Sequence, residues 1–496
     1  MSETNNNQNH EESFPTPEDK IVQTQHAVTI GGKQIPYTVT TGTIVLKEES
    51  EKEDKSEGEK AKASIFFVAY TKNNVADTSQ RPLTFAFNGG PGSSSVWLHL
   101  GLLGPKRVHM DDTNILPPPY KLVENEYSLL DVTDLVFIDP VSTGFSRAVP
   151  GEKAKEFHGF TKDIESVGDF IRLYTTRYQR WHSPKFLAGE SYGTTRSAGL
   201  SGYLQMRHGM YLNGIMLISS VLNFQTLLFS NGNDLPYPLF LPTYTATAWY
   251  HHKLDDDLQA DLQATLAEVE AFALGEYASA LMQGSDLPEE AQQAIAQKLA
   301  RYTGLSAAYI RKTNLRINIF RFTKELLREE GLTVGRLDSR FTGIDKDTAG
   351  ETFEFDPSYA AIQGPYTAVL NDYLRRELSF ENDIPYEILT GLYQNWSYKD
   401  FENQFVEVAE TLRQAMSINP HLKVLIANGY YDLATPYLAT RYTFNHLGLD
   451  ASLQDNYEMT YYEAGHMMYV HLPAMAQLKK DMARFVKTAV SLEHGK

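Results

Sequence analysis

The sequence of 496 residues contains no cysteine and has a formal net charge of −17. The lack of cysteine excludes a disulfide framework, thiolate metal sites and a cysteine nucleophile, and it fits a reducing compartment. The shortage of positive charge argues against a nucleic-acid-binding protein, because neutralising phosphates requires a basic face. Any recognition of an anionic substrate group must therefore be local rather than a property of the whole surface.

Long hydrophobic runs are absent as well. No stretch of about 20 apolar residues occurs, so the sequence predicts no membrane span. Residues 1–20 are polar and lack the apolar segment of a secretory signal, so we expect a disordered N-terminus and a cytoplasmic protein. A chain from which a signal had been removed would instead be periplasmic or secreted. The composition leaves the oligomeric state open, with a homodimer as one alternative.

Short apolar segments bounded by turn residues recur along the chain and predict buried strands. They lie at 83–87, 135–138, 185–188, 215–219 and 423–427. Segments with helical periodicity, such as 161–178 and 194–206, separate several of them. Alternating strands and helices predict an α/β fold with a mostly parallel central sheet and helices on both faces.

The region from 223 to about 400 has a different pattern. Its apolar residues recur at helical spacing, as in the series Leu258, Leu262, Leu266, Val269, Phe272, Tyr277 and Leu281. We therefore predict a mainly helical insertion, or cap, at 223–400. It would divide an α/β core into a first part at 21–222 and a second part at 401–496.

The motif Gly189-Glu190-Ser191-Tyr192-Gly193 follows one of the predicted strands and precedes a predicted helix. Two glycines flanking a serine suit a strained strand-to-helix turn that exposes the hydroxyl as a nucleophile. A serine hydroxyl needs a base to take its proton and donors to hold an oxyanion. Ser191 is therefore the candidate nucleophile.

Two later residues complete a candidate triad. Asp432 follows the strand predicted at 423–427, and His466 follows a further strand predicted at 457–462. The carboxyl ends of parallel strands meet at one edge of the sheet. The order Ser, Asp, His along the chain is that of an α/β-hydrolase. His466 would act as general base and then general acid, and Asp432 would orient its imidazole.

A glycine-rich loop, Asn88-Gly89-Gly90-Pro91-Gly92, follows the strand predicted at 83–87. We predict the backbone N–H groups of Gly90 and Tyr192 as the two oxyanion donors. The loop lacks the lysine of a phosphate-binding loop, so we expect no nucleotide cofactor. Each motif alone is weak, but their order and their common position after strands support one another.

These segments, together with Ile138-Asp139-Pro140-Val141-Ser142-Thr143-Gly144-Phe145-Ser146 and Gly465-His466-Met467, resemble the serine carboxypeptidase family, most closely its cysteine-poor bacterial branch. The resemblance implies an α/β-hydrolase that removes a C-terminal amino acid from peptides through an acyl-enzyme on Ser191. We expect no cofactor and no metal. The resemblance also implies that Asn88, the Gly89 backbone and Glu190 bind the terminal carboxylate of the substrate.

The sequence departs from the family pattern at two positions. The second glutamate that the family has about fourteen residues after the asparagine is Leu102 here, and Ser93 stands where the family has cysteine.

Glu190 can donate to a carboxylate only when it is protonated. The resemblance thus implies faster peptide cleavage in acid and a shift toward ester or amide hydrolysis near neutral pH.

The sequence leaves alternative interpretations open for the activity, for one histidine pair and for one charged segment. An esterase or an acyltransferase could use the same residues. His251-His252 with Asp255–Asp257 could bind a metal, although aspartates at a solvated helix start are the favoured interpretation. Arg336-Leu337-Asp338-Ser339-Arg340 could place charges near the cleft or could bridge the insertion to the core, and the second interpretation is slightly preferred.

Overall fold

The computed structural model describes residues 17–52 and 55–491. The strands are β1 Lys20–Ile30, β2 Lys33–Lys52, β3 Lys55–Lys72, β4 Leu83–Phe87, β5 Lys106–Val108, β6 Leu122–Glu124, β7 Asp134–Ile138, β8 Arg147–Ala148, β9 Lys185–Ser191, β10 Gly214–Ser220, β11 Thr333–Val334, β12 Thr342–Gly343, β13 Lys423–Gly429 and β14 Tyr457–Tyr462. The helices are α1 Phe160–Arg177, α2 Tyr192–His208, α3 Pro236–Tyr250, α4 Asp256–Gln259, α5 Leu262–Phe272, α6 Ala278–Gln283, α7 Glu289–Thr303, α8 Ala307–Lys312, α9 Ile319–Glu325, α10 Pro357–Arg376, α11 Ala409–Ile418, α12 Tyr437–Asn445 and α13 Leu472–Ser491.

One sheet organises the molecule, with the strand order β1-β2-β3-β7-β4-β9-β10-β13-β14 and β8 paired to β3. The neighbours from β7 to β14 are all parallel. The first three strands are antiparallel and join β7 at the other side of the sheet. The predicted α/β class with a mainly parallel central sheet is therefore confirmed.

Both faces of the parallel strands are covered by helices. Strand β4 shows why, because all five of its residues are buried and an apolar strand in a parallel sheet must be covered on both sides. Leu83, Phe85 and Phe87 point into the core shared with α1, α2 and α11. Ala86 faces the opposite core, which α10 and α13 complete.

The region predicted as an insertion lies between β10 and β13. Helices α3 to α9 supply most of a separate apolar cluster, in which the rings of Tyr244 and Phe322 stack with centroids 4.1 Å apart. Helix α10, by contrast, packs into the core on one face of the sheet. The division of the chain at 21–222, 223–400 and 401–496 stays a prediction.

The disorder predicted for residues 1–20 falls mostly on residues outside the described part of the chain. Of the described ones, Asp19 forms an ion pair with Arg177 and Lys20 begins β1. Across residues 17–52 and 55–491, no helix has both the length and the apolar character needed to span a membrane.

Candidate active site

Ser191 occupies the turn between β9 and α2. Its backbone has φ 61° and ψ −130°, a left-handed conformation that is strained for a residue with a side chain. A Cβ on Gly189 would collide with the Gly193 backbone, and a Cβ on Gly193 would lie 2.7 Å from the carbonyl oxygen of Phe87. Both flanking glycines are therefore required by close packing around the turn, as in a nucleophile elbow.

Asp432 and His466 are brought together by the loops that follow β13 and β14. The Nδ1 atom of His466 lies 2.8 Å from Oδ2 of Asp432. The carboxylate also accepts from the backbone N–H groups of Ala434 and Thr435 at 2.8 and 2.9 Å, and from the Thr435 hydroxyl at 2.6 Å. A carboxylate held in this way fixes the proton on Nδ1 and leaves Nε2 as the basic nitrogen.

The His466 loop is anchored next to the end of β9. The Ser219 hydroxyl donates to the His466 carbonyl oxygen at 2.7 Å, and the following residue, Ser220, is paired with Ser191 across the sheet. Among the described residues, no hydrogen bond joins the Ser191 hydroxyl to the imidazole. Such catalytic bonds are often long without substrate and tighten when it binds.

The pKa of His466 reflects opposing influences. Burial lowers it, whereas the charge and hydrogen bond of Asp432 and the charge of Glu190 raise it, and the net pKa lies above the ordinary value. The imidazole is therefore a stronger base than a free histidine, and it loses its basic form as the pH falls.

The glycine loop lies directly against the elbow. A Cβ on Gly89 would collide with the backbone N of Tyr192, so only glycine permits this approach. Gly90 has φ +103°, again a glycine conformation, and its N–H has no acceptor among the described residues. Tyr192 opens α2, where backbone N–H groups lack intrahelical partners. The two predicted oxyanion donors thus belong to two segments in contact.

Arg196 fixes the position of this loop. Its side chain is fully buried and donates to the Asn88 carbonyl oxygen at 2.6 Å and to Asp163 at 2.8 Å. Because two guanidinium bonds lock one orientation, the loop is held to α2 by a charged side chain as well as by packing. Sequence reasoning did not identify Arg196.

Glu190, the residue before the nucleophile, is buried and accepts two hydrogen bonds. Asn88 Nδ2 donates to Oε1 at 2.9 Å and the Tyr469 hydroxyl donates to Oε2 at 2.8 Å. Burial, the largest influence, raises the pKa of Glu190 to about 7. Asn88 and Glu190 are therefore in contact, and the acid changes its charge near neutral pH.

Tyr469 is the second residue that sequence reasoning missed. Leu102, at the position of the family's second glutamate, is buried in the apolar core and gives Glu190 no partner. The neighbouring Gly101 leaves room for the Tyr469 ring, with which a Cβ would collide. The lack of a hydrogen-bonding side chain at position 102 is the sequence signal that Glu190 has a different partner.

A segment from the predicted insertion covers the glycine loop. The Thr390 N–H donates to the Gly92 carbonyl oxygen at 2.9 Å, and Trp396 Nε1 donates to the Tyr192 hydroxyl at 3.1 Å. The Trp97 ring packs on Tyr366 with centroids 4.9 Å apart. The region between β10 and β13 thus contributes one wall of the candidate site.

The other candidates of the sequence have structural contacts. His251 Nε2 lies 2.7 Å from the Ser339 carbonyl oxygen, and Asp255 and Asp257 form ion pairs with Arg301. No group of three or more histidine, aspartate or glutamate side chains in residues 17–52 and 55–491 could hold a metal ion.

The family model described as serine carboxypeptidase matches residues 55–487. The pheromone-processing carboxypeptidase KEX1 of Saccharomyces cerevisiae is 35% identical over 147 residues, which are 28% of this chain and 19% of that protein. A carboxypeptidase Y homolog of Arthroderma benhamiae is 30% identical over 160 residues, 32% of this chain and 29% of that one. These matches thus span less than a third of either relative.

Among solved structures, the prohormone-processing carboxypeptidase Kex1(Δ)p of Saccharomyces cerevisiae aligns with a TM-score of 0.57 over 91% of both chains at 16% identity, and it shares the fold. Since the family match covers most of the sequence, the chain belongs to the serine carboxypeptidase family. The resemblance inferred from the motifs is confirmed, whereas the bacterial branch stays a prediction.

Proposed function

We propose that this chain is a serine carboxypeptidase, which hydrolyses the C-terminal peptide bond of peptides through an acyl-enzyme on Ser191. The observation that carries the proposal is the His466–Asp432 hydrogen bond of 2.8 Å, formed by two loops at the sheet edge where the strained Ser191 turn also lies. Family membership supports the same conclusion.

The reaction would follow from the geometry of these groups. The Ser191 hydroxyl attacks the carbonyl carbon while its proton passes to Nε2 of His466. The N–H groups of Gly90 and Tyr192 stabilise the negative oxygen of the tetrahedral intermediate. His466 then protonates the leaving amine as the C–N bond breaks, and a water molecule releases the acyl group in the same manner.

Asn88, the Gly89 backbone and Glu190 would bind the terminal carboxylate of the peptide. Asn88 already donates one N–H to Glu190 and has a second one to offer. Glu190 can donate only in its protonated form, which prevails below a pKa of about 7. We therefore expect the cleavage of peptides with a free terminus to decline above about pH 7, as Glu190 ionises, and to decline in acid, as His466 takes a proton.

An esterase or acyltransferase activity on the same scaffold is the second candidate. The ionisation of Glu190 above about pH 7 favours it, because an ionised acid repels a terminal carboxylate but not an ester or an amide. The cytoplasmic location, the absence of nucleic-acid partners and the oligomeric state stay predictions from the sequence.

The test is mass spectrometry of a mixed peptide library before and after incubation. The proposal predicts stepwise loss of residues from the C-terminus by the native protein and no loss with Ser191→Ala. Internal cleavage would contradict it. Acyl transfer to added alcohols or amines without peptide shortening would favour the second candidate.

A further inference from the structure

We propose that Arg336 binds the C-terminal carboxylate of the peptide substrate. The inference rests on the proposed carboxypeptidase function and adds a cation to the proposed carboxylate-binding groups Asn88, Gly89 and Glu190. Arg336 belongs to the Arg336–Arg340 segment, for which the sequence left a role near the cleft as an alternative.

The backbone around Arg336 is anchored to both loops of the His466–Asp432 pair. The Leu433 N–H, directly after Asp432, donates to the Arg336 carbonyl oxygen at 3.1 Å. The His466 N–H donates to the Leu337 carbonyl oxygen at 2.7 Å. Arg336 therefore lies beside the reacting groups although it belongs to the region between β10 and β13.

A second set of contacts connects Arg336 to the side of the site where Asn88 lies. The Arg336 N–H donates to Asp356, the cap of α10, at 3.0 Å. Within the same first turn of α10, the Tyr359 ring packs on Trp97 with centroids 6.2 Å apart. Trp97 Nε1 in turn donates to Ser93 at 2.9 Å, at the end of the glycine loop. Arg336 is thus linked, through the start of α10, to the segment that carries the glycine loop.

The guanidinium group itself is available for a ligand. Arg336 is partly exposed, and no acceptor in residues 17–52 and 55–491 forms an ion pair or hydrogen bond with its side chain. Arg340, four residues later, is buried and bonds both oxygens of Asp338, at 3.0 and 2.7 Å. A planar guanidinium matches a carboxylate through two parallel hydrogen bonds.

The remaining groups at this side do not provide attraction for an anion. Glu190 is neutral at best and Asn88 is an uncharged donor, while the whole chain carries a formal net charge of −17. Arg336 is close enough for its charge to act on His466: burial, the largest influence, and this cation lower the pKa of His466, while Asp432 and Glu190 raise it. Arg336 is therefore the cation that the geometry offers to a carboxylate next to the reacting atoms.

The experiment compares Arg336→Gln and Arg336→Lys with the native protein on one peptide in two forms, the free acid and its C-terminal amide. We expect Arg336→Gln to raise KM for the free acid about 10- to 100-fold, with kcat nearly unchanged and the amide unaffected. Arg336→Lys should lie between, since lysine retains the charge but not the fork. Arg413→Gln, which removes an exposed arginine paired with Glu410, is the matched control.

The outcomes separate this proposal from the function it rests on. Equal losses on the acid and the amide, or no change on either, would overturn the role of Arg336 while peptide cleavage by the native protein still stood. Losses confined to peptides with acidic side chains, whatever their terminus, would assign Arg336 to a side-chain carboxylate and also overturn it. A native protein that reacts with a fluorophosphonate but cleaves no free-acid peptide would reject the proposed function first.

Discussion

The two buried carboxylates of the candidate site, Asp432 and Glu190, have different surroundings. Asp432 receives four hydrogen bonds, from two backbone N–H groups, the Thr435 hydroxyl and His466. Glu190 receives two, from Asn88 and Tyr469. Burial alone does not assign a role to an acid, because the number of donors decides how well its charge is compensated.

This difference supports the different tasks that we propose for the two acids. Four donors satisfy an ionised carboxylate, so Asp432 can orient and stabilise the imidazole throughout the reaction. With two donors, desolvation dominates and raises the pKa of Glu190 to about 7. Glu190 can then give a hydrogen bond in acid and repel an anion in base.

The largest effect is expected from Asp432→Asn. The amide cannot stabilise the imidazolium, and its NH₂ group favours the wrong imidazole tautomer, so kcat should fall by about 10⁴-fold. Steady-state kinetics on a peptide acid and on an ester would measure it. A loss smaller than tenfold on both substrates would remove Asp432 from the proposed triad.

A smaller loss is expected from Thr435→Val, which deletes one donor to Asp432 and keeps the shape of the side chain. Hydrogen bonds to charged groups contribute about 1.5–3 kcal/mol, so kcat should fall about 10- to 100-fold. Thr443→Val is the matched control, since that buried hydroxyl bonds only a helix carbonyl oxygen. Similar kcat values for the two variants would contradict a contribution of the Thr435 hydrogen bond to catalysis.

Glu190→Gln should change the pH dependence more than the maximum rate. In the native protein kcat/KM for peptide acids should fall about tenfold per unit above pH 7, because Glu190 loses its proton there. Glutamine cannot ionise, so this decline should vanish, while the fall in acid from protonation of His466 persists. A decline of the same slope in the variant would show that another group causes it.

The smallest effect is expected from Tyr469→Phe. The Tyr469 hydrogen bond lowers the pKa of Glu190 against the larger effect of burial, so its loss should move the alkaline decline up by about one pH unit. Tyr366→Phe, at a buried tyrosine that has no hydrogen bond to Glu190, is the control. Identical pH profiles for both variants would mean that Tyr469 only fills space.

The sequence predicted the elements that position the triad. The strand predicted at 83–87 coincides with β4, and those at 185–188 and 423–427 lie within β9 and β13. Short, mostly apolar runs between turn residues are typical of buried strands. The serine turn was recognisable because only glycines fit around it.

The other half of the site could not be predicted from local patterns. Tyr469 has no signature, since its contact with Glu190 depends on packing between segments far apart in the chain, and the sequence left the role of the Arg336–Arg340 segment open. Helix α10 is an example of the same limit, because its helical spacing does not show that it packs on the sheet. The residues expected to bind substrate at Asn88 and Glu190 were predictable only through the family resemblance.

The most direct test of the account is to identify the residue that a fluorophosphonate modifies, by peptide mapping of the labelled protein. We expect a single adduct on Ser191 in the native protein, slower labelling in Asp432→Asn, and protection by a peptide with a free C-terminus. Modification of a different residue, or labelling that His466→Ala leaves at the native rate, would contradict it.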